Sequence, residues 1–408
     1  MSTALKEIVR VEDPAFYDDN QFDVYDRMRV EAPAFRYEPL DVHLLTRMDD
    51  VRYVSTHPEL FSNTGGLTLN QLRMTRNGAT AAFERFNEPD GELVITKDPP
   101  RQRQLRALMS PTLTPRYLKG FQEALDRFCR QLLDTIVPGE TFDFVDRIAG
   151  RLPLYVAAAI LGATDTDIER MKTWVAALEE LTYVEDVADL EEPGRRFDEL
   201  KAFLRDQIAE KRRHPGDDMI SKFLSSRLDG ADVSDAVVLA HVSTLMSNGG
   251  TTRLFLASLV AYLADRPEET KAIKEDPARL EGAMEECLRL APPARGFVRT
   301  VTTDTDLAGT RLRTGDRVYM LYPAANRDPA SFPDPNRFDV TRRQTVNHAS
   351  FGLGSHFCLG AALARMEAQA LFGHLLARFS EIRRSATATR YKHVQLNGWA
   401  TLPLSFHH

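Results

Sequence analysis

The sequence has little cysteine, little net charge and no long apolar run. Its 408 residues include three cysteines, Cys129, Cys287 and Cys358, an odd number without the paired spacing of a zinc cluster or a disulfide framework. A formal net charge of -7 gives no strong field for nucleic acid or anionic lipid. We therefore expect neither nucleic acid nor a membrane as a partner, and a chemical role for at most one cysteine.

Targeting signals and membrane spans are also missing. Residues 1–13 contain no apolar run behind a basic cluster, so the sequence predicts no signal peptide or N-terminal anchor. The apolar stretches 152–163 and 254–264 are about half the length that crosses a bilayer. We interpret both as buried helices of a cytoplasmic protein.

The composition and periodicity are those of a folded, helix-rich protein. Hydrophobic residues make up 43% and charged residues 27%, as in ordinary globular domains. Apolar residues recur at helical spacing in residues 121–136, 142–161, 168–181 and 196–208. Alternating segments predict strands at 297–302, 317–321 and 392–406, with a helix at 361–379. The predicted class is mainly α with small β-sheets.

One predicted helix should pass through the core. Ser234 is placed to cap it, and residues 235–265 are apolar on nearly every side before Pro267 ends the helix. Residues 62–98, by contrast, are polar, contain glycine and show no clear period. We interpret them as a candidate active-site loop.

The strongest chemical signal surrounds Cys358, in the run Phe351-Gly352-Leu353-Gly354-Ser355-His356-Phe357-Cys358-Leu359-Gly360. The three glycines allow sharp turns that aim backbone N–H groups inward, and the helix that follows adds partial positive charge. Both effects lower the pKa of a thiol and stabilise the thiolate, which is a metal ligand. A lone cysteine before a helix is otherwise most often an inert buried thiol, so the interpretation depends on the surrounding pattern.

This run resembles the heme-binding loop of the cytochrome P450 superfamily and matches every fixed position of that signature. The resemblance implies a single P450 domain over residues 1–408. Its fold would be a triangular, helix-rich prism with heme b between the long central helix and the helix after the cysteine loop. Cys358 would be the protein ligand of the heme iron, and His356 would contact a heme propionate. Phe351, Gly352 and Gly360 complete the implied cofactor-binding loop.

Other segments resemble the family's propionate-binding positions. Arg106, in residues 98–106, and Arg299, in residues 296–299, would each pair with a propionate, because a guanidinium is always charged and binds carboxylates through parallel hydrogen bonds. Gln102 stands where bacterial members commonly have histidine, so a hydrogen bond replaces a possible charge there.

A structural triad is also implied. Glu286 and Arg289 lie at i and i+3, where they meet on one helix face, although such a pair alone is usually an ordinary surface ion pair. With Arg337, in residues 335–338, they resemble the family's buried triad, which braces the core near the heme. Cys287 would then be an inert packed thiol.

The sequence departs from the family on the long helix, where an acid and a threonine usually face the heme. The run is Met246-Ser247-Asn248-Gly249-Gly250-Thr251-Thr252-Arg253. Aligned with the family, this run has Thr251 at the threonine position and Gly250 at the acid position. If the alignment is shifted by one residue, Thr252 takes the threonine position and Thr251 the acid position, which still leaves no carboxylate. Adjacent glycines indicate a bend or a ligand close to the backbone. Protons would reach the threonine through Ser247, Asn248, ordered water or the substrate; the alternative without chemistry is a kinked helix.

The resemblance places an apolar pocket between residues 67–94, 178–183 and 394–396, which favours a small hydrophobic substrate. The implied substrate-binding residues are Thr244, Ser247, Ala294, Phe297 and Leu396. The basic residues Arg101 and Arg103 lie near the site where family members dock an acidic ferredoxin. Because the chain has no flavin or iron-sulfur segment, electrons from NAD(P)H should arrive through a separate ferredoxin and ferredoxin reductase.

The favoured function is therefore a heme-thiolate monooxygenase that hydroxylates or oxidatively dealkylates its substrate. Two alternatives stay open. The first is a peroxygenase that uses peroxide, because the missing acid weakens the usual proton relay. The second is a non-catalytic heme-thiolate binding or sensor protein, which would have no catalysis to lose when that acid is replaced.

Overall fold

The structure is a computed structural model that describes residues 4–18, 21–77, 91–162, 168–183, 190–342 and 347–408, apart from the side chains of residues 182, 183, 247 and 248. The α-helices span Leu5–Ile8, Gln21–Glu31, Met48–Thr56, Leu69–Arg76, Arg101–Met109, Pro115–Leu118, Gln122–Asp134, Leu152–Leu161, Ile168–Tyr183, Glu191–Arg213, Met219–Leu224, Asp235–Ala264, Pro267–Glu275, Arg279–Leu290, Tyr322–Ala325 and Ala361–Arg378. The strands span Ala34–Tyr37, Val42–Leu45, Phe61–Ser62, Phe142–Asp143, Arg227–Leu228, Ala231–Asp232, Gly296–Val301, Thr305–Leu307, Thr310–Leu312, Arg317–Leu321, Glu381–Arg384, Thr389–Arg390, Trp399–Thr401 and Pro403–His407.

The helix Asp235–Ala264, called the central helix below, has the predicted position and length. The Ser234 hydroxyl accepts a hydrogen bond from the backbone N–H of Val237 (3.3 Å) and so caps the N-terminus. Residues 254–257 are each at most 1% exposed, and four successive helical residues point to all sides. The central helix therefore passes through the core, as predicted. None of the described helices has the length and apolarity of a membrane span.

A five-stranded sheet combines strands from residues 34–62 with strands from residues 296–321. Its strand order is Ala34–Tyr37, Val42–Leu45, Arg317–Leu321, Gly296–Val301 and Phe61–Ser62. Val42–Leu45 runs parallel to Arg317–Leu321, and the other neighbours are antiparallel. Alternate residues of one strand enter two different apolar clusters, Tyr319 and Leu321 on one face and Val318 and Met320 on the other. Both faces of this sheet are thus covered.

Two sequence-based predictions of secondary structure are wrong in part. Residues 142–161 do not form one helix: Phe142–Asp143 is a strand, Val145–Ala149 a π-helical turn, and the α-helix begins at Leu152. Phe142 pairs with Leu404 of the last strand, and this pairing overrides the helical pattern.

The predicted strand 392–406 is also interrupted. Only Trp399–Thr401 and Pro403–His407 are strands, because the stretch before them is held by local contacts instead. Leu396 bridges Ala294, and the Gln395 side chain donates a hydrogen bond to the carbonyl of Gly296. This irregular, buried stretch lies against the start of the strand Gly296–Val301.

Candidate active site

The segment Phe351–Gly360, called the cysteine loop below, is a closed turn directly before the helix Ala361–Arg378. Gly352 and Gly354 have φ values of 69° and 68°, a region that favours glycine. The backbone N–H of Cys358 donates to the carbonyl of Phe351 (2.7 Å), which closes the loop. A Cβ at Gly354 would lie 3.0 Å from the carbonyl carbon of Ser55, so the loop also packs tightly against the helix Met48–Thr56.

Burial dominates the electrostatics of the Cys358 thiol. Burial raises the thiol pKa, and the backbone N–H groups of Gly360 and Ala361 together with the guanidinium groups of Arg106 and Arg365 oppose that rise. The predicted causes therefore act in the predicted direction, but the expected net lowering of the pKa is wrong. The reason is that the sequence pattern shows the donors around the sulfur and not how completely the fold removes water from it.

The helix Arg101–Met109 lies across the cysteine loop and bonds to its backbone. Gln102, which is fully buried, donates from Nε2 to the carbonyl of Ser355 (2.8 Å). One turn later, Arg106 donates from Nη1 to the carbonyl of Phe357 (2.7 Å). The structure thus places both sequence-predicted residues at the loop.

Several polar groups around the loop are buried without a partner. Among the described residues, no group bonds to Gln102 Oε1, Ser355 Oγ or His356 Nε2. Arg299 is 6% exposed and forms no ion pair within the described ranges; its Nη1 donates only to the carbonyl of Val298 (2.8 Å). Burial and the nearby cations Arg299 and Arg106 lower the pKa of His356 to about 4. A buried cation without a counter-ion, and buried polar atoms without hydrogen-bond partners, cost free energy unless a bound group supplies the missing partners.

A buried ion network braces the helix Arg279–Leu290 against the segment that follows the sheet. Glu286 and Arg289 are fully buried and form paired hydrogen bonds of 2.6 and 2.9 Å. The third member is Arg342, whose Nε lies 3.1 Å from Glu286 Oε1. The prediction of Arg337 is wrong, since its side chain is exposed and only its backbone carbonyl accepts a bond from Arg289 (3.0 Å). Buried Phe338 faces the core at this point, which turns its neighbour outward.

A second ion pair, which sequence reasoning missed, connects this helix to the helix after the cysteine loop. Arg365 donates to both oxygens of Glu285 (2.7 and 2.8 Å), and its guanidinium lies 4.5 Å from the ring centre of Phe351. Burial alone would raise the pKa of Glu285, but the bonds from Arg365 and His348 outweigh it and hold the value at about 2. The Arg365–Phe351 contact fixes one side of the loop.

Comparison with known proteins identifies the family. The cytochrome P450 family profile matches residues 67–393. The chain belongs to the cytochrome P450 family. Cytochrome P450 107B1 of Saccharopolyspora erythraea is 32% identical over 380 residues, covering 92% of this chain and 91% of that protein.

Solved P450 structures confirm the predicted fold. A mutant of P450 EryK in complex with erythromycin B is 30% identical, with a TM-score of 0.82 and coverage of 95% of this chain and 96% of that one. CYP108D1 from Novosphingobium aromaticivorans is 27% identical, with a TM-score of 0.85 and coverage of 98% of both chains. The mainly α fold with small sheets is therefore the P450 fold, and the protein is an oxidoreductase of the monooxygenase class.

Heme b is the cofactor of this family. The residues around the cysteine loop fit such a group, because heme carries two carboxylates and the chain offers the cations Arg299 and Arg106 and the unpaired ring nitrogen of His356. The half-buried Cys358, with backbone N–H groups directed at its sulfur, fits a thiolate ligand. A bound heme would therefore supply partners for buried polar groups that have none among the described residues.

Residues 246–253, where the family usually has an acid and a threonine, lie on the central helix as predicted. Thr251 and Thr252 are half-buried there, while the side chains of Ser247 and Asn248 lie outside what the structure describes. Residue 250 is a glycine and carries no acid. The carboxylate of Glu179, on the helix Ile168–Tyr183, occupies the space beside Gly250 instead. The signal that could have revealed Glu179 is its position four residues after Val175 on the buried face of that helix.

The predicted substrate residues are only partly brought together in the described structure. Ala294 and Leu396 form a bridge, and Leu396 is buried. Phe297 is half-buried two residues before Arg299, on the same strand face, and Thr244 is half-buried on the central helix, where its hydroxyl donates to the Ala240 carbonyl (2.8 Å). Within the predicted loop 67–94, residues 78–90 lie outside the described ranges.

One of the two basic residues predicted to dock a ferredoxin already forms ion pairs within the chain. Arg101 forms ion pairs with Glu92 and Asp229, so its charge is balanced within the chain. Arg103, two residues later in the same helical turn, is exposed. The basic surface available to a partner at this helix is therefore smaller than the sequence predicts.

Proposed function

We propose that this P450 is a heme-thiolate monooxygenase in which Cys358 is the protein ligand of the iron. It inserts one oxygen atom of dioxygen into a small hydrophobic substrate, by hydroxylation or oxidative dealkylation. The observation that carries the proposal is the half-buried Cys358, whose sulfur is faced by the backbone N–H groups of Gly360 and Ala361 and by two guanidinium groups. These donors stabilise a thiolate once a metal has displaced its proton.

The loop and its neighbours would hold the cofactor. Arg106 and Arg299 would bind the propionates as cations, and Gln102 and His356 would complete their hydrogen bonds. Phe351, Gly352 and Gly360 would shape the loop around the sulfur. When bound, heme supplies the activation of dioxygen. Arg365, by holding Phe351, would keep that side of the loop in place.

The central helix would form the distal wall. Thr251, with Thr252 and Asn248 near it, would hold and pass protons through hydroxyl and amide groups. Thr244, Ser247, Ala294, Phe297 and Leu396 would line the substrate site, where apolar side chains exclude water. Glu286, Arg289 and, in place of Arg337, Arg342 would brace the core beneath the cofactor.

Electrons would come from NAD(P)H through a ferredoxin reductase and a ferredoxin, in the cytoplasm, to a single domain of residues 1–408. A peroxygenase is the second candidate, because the central helix has no carboxylate of its own at position 250. Comparing turnover of a hydrophobic compound panel with hydrogen peroxide and with reductase plus ferredoxin separates the two. Product with peroxide alone would favour the peroxygenase.

The ligand assignment is tested by carbon monoxide binding to the reduced protein. Cys358→Ala should lose the red-shifted Soret band of a thiolate complex, and Cys287→Ala should keep it, because Cys287 is a fully buried thiol in the core. A Cys358→Ala protein that keeps the band would refute the assignment. Loss of the band in both variants would point to a general folding defect instead, which circular dichroism detects.

A further inference from the structure

The space beside Gly250 is filled by a side chain from another helix. A Cβ built at Gly250 would overlap the Glu179 carboxylate, whose Cδ lies 2.6 Å from that position and whose Cγ lies 3.2 Å from it. Real Cβ atoms do not approach other atoms so closely, so residue 250 has to be glycine while Glu179 stands there. The glycine at the acid position and the glutamate on the neighbouring helix are therefore two parts of one arrangement.

The helix Ile168–Tyr183 aims Glu179 inward. Its residues Met171, Trp174, Val175 and Leu178 are buried, at the spacing of a core-facing helix stripe. Glu179 continues that stripe one turn after Val175, and its side chain is 10% exposed. A carboxylate on such a face costs free energy unless it is paired, so its presence calls for a specific partner or role.

Arg253 is that partner, and it engages one oxygen of the carboxylate. Its Nη2 lies 3.0 Å from Glu179 Oε2. Arg253 follows Gly250 by three residues, so both lie on the same face of the central helix. The pair leaves Oε1 directed at Gly250, the residue that precedes Thr251 in the chain. The geometry thus places a carboxylate oxygen where a side chain of residue 250 would otherwise stand.

The groups that face Glu179 set its protonation. Burial raises the pKa of Glu179, Arg253 opposes the rise, and the neighbouring Glu180 adds to it. In the C-terminal segment, burial and the charge of Glu179 raise the pKa of Tyr391, and the Arg253 guanidinium lies 5.5 Å from the Tyr391 ring centre. A carboxyl group with a raised pKa keeps its proton to a higher pH than free glutamate does, so it can hold a proton for transfer where a free glutamate is already ionised.

We propose that Glu179 is the distal carboxylate of this P450 and delivers protons toward Thr251 from the position that Gly250 leaves open. This inference rests on the proposed monooxygenase function. Monooxygenation consumes protons, since the second oxygen atom of dioxygen leaves as water. In each transfer the O–H bond of the Glu179 carboxyl breaks, an O–H bond forms on a water or hydroxyl beside Thr251, and Glu179 regains its proton from solvent at its exposed edge. No electron moves in this step.

The test compares Glu179→Gln with Glu180→Gln in the holoprotein. Glu180 is exposed on the same helix, so it is a matched control for a lost negative charge. With reductase and ferredoxin, Glu179→Gln should lower the product formed per NAD(P)H by about tenfold or more and raise the solvent isotope effect, as expected for a lost general acid. Glu180→Gln should stay close to the wild type, because Glu180 makes the smallest contribution to the raised pKa of Glu179.

A rescue separates proton delivery from a structural role. Glu179→Ala combined with Gly250→Asp returns a carboxylate to the same space from the central helix, and the coupling should recover. Gly250→Asp alone should lower the midpoint of thermal unfolding, because its side chain and Glu179 compete for one space. Unchanged coupling in Glu179→Gln, or loss without an isotope effect and without rescue, would overturn the proposal.

A readout independent of turnover is infrared difference spectroscopy. A protonated carboxyl band that shifts in D2O should persist to a higher pH in the wild type and in Glu180→Gln than free glutamate allows, and it should be absent in Glu179→Gln. If no such band depends on Glu179, the inference fails whether or not the enzyme turns over. If the band is present but no substrate is oxidised, either with hydrogen peroxide or with reductase and ferredoxin, the proposed function fails. The assignment of Glu179 as a buried, protonated carboxyl group would still hold.

Discussion

Replacing Arg342 tests whether Arg342 is the third member of the buried network of Glu286 and Arg289. Glu286 is fully buried and accepts from both Arg289 and Arg342, and Arg342 is 6% exposed with a 3.1 Å bond to Oε1. Arg342→Met keeps most of the apolar stem but removes the charge-assisted hydrogen bond to Glu286. Such a bond contributes about 1.5–3 kcal/mol. Arg342 also donates to the carbonyls of Pro333 (2.5 Å) and Asp334 (3.1 Å), which lose a partner.

We expect Arg342→Met to lower the free energy of unfolding by about 2–3 kcal/mol, less than the roughly 3–5 kcal/mol lost when a buried charge keeps no partner. An unfolding entropy of about 2.1 cal/mol/K per residue over 408 residues converts this into a fall of about 2–4 °C in Tm. Arg337→Met is the matched control, because that side chain is exposed; it should change stability by less than about 0.5 kcal/mol.

The assay is thermal unfolding of the holoprotein followed by circular dichroism, with the Soret band recorded in parallel. Equal falls in Tm for the two variants, or a larger fall for Arg337→Met, would refute the assignment of Arg342 to the network. A fall confined to Arg342→Met would support it.

Three further perturbations follow from the site and its surroundings. Arg299→Gln removes the buried cation and should speed heme loss to a heme-scavenging protein on the order of tenfold; an unchanged rate would contradict the propionate role. Gly354→Ala should reduce heme retention more than Gly352→Ala, since both need positive φ but only the first collides with the Ser55 backbone; equal retention would speak against the contact. Burial and Arg295 hold the pKa of His393 at about 4, below its ordinary 6.5. The stability from neutral His393 is therefore complete above pH 6.5 and lost as pH falls toward 4, and His393→Asn should flatten the fall of Tm over that range.

Local patterns in the sequence predict much of this molecule. The central helix follows from the Ser234 cap, its apolar run and Pro267. The cysteine loop follows from a ten-residue run in which each glycine matters locally, and two of those glycines have positive φ. Arg106 and Gln102 sit on a short helix whose spacing brings both to the loop.

Features that depend on distant parts of the chain were not predictable in the same way. Choosing Arg342 over Arg337 requires knowing which side of the segment faces Glu286, and the buried Phe338 decides that. The carboxylate at Gly250 comes from a residue 71 positions earlier, and no pattern on the central helix points to it. The rise in the Cys358 pKa reflects depth of burial, which is a property of the whole fold.

The parallel pairing of Val42–Leu45 with Arg317–Leu321 has a consequence for biosynthesis. The hairpin formed by Ala34–Tyr37 and Val42–Leu45 leaves the ribosome roughly 270 residues before the strand Arg317–Leu321. At about 5–20 residues per second, this is a delay of tens of seconds. Throughout that interval the hairpin presents an open edge and gains little stability alone. Nascent chains of this protein are therefore natural clients for chaperones that shield unpaired strands, and slowing translation should increase that dependence.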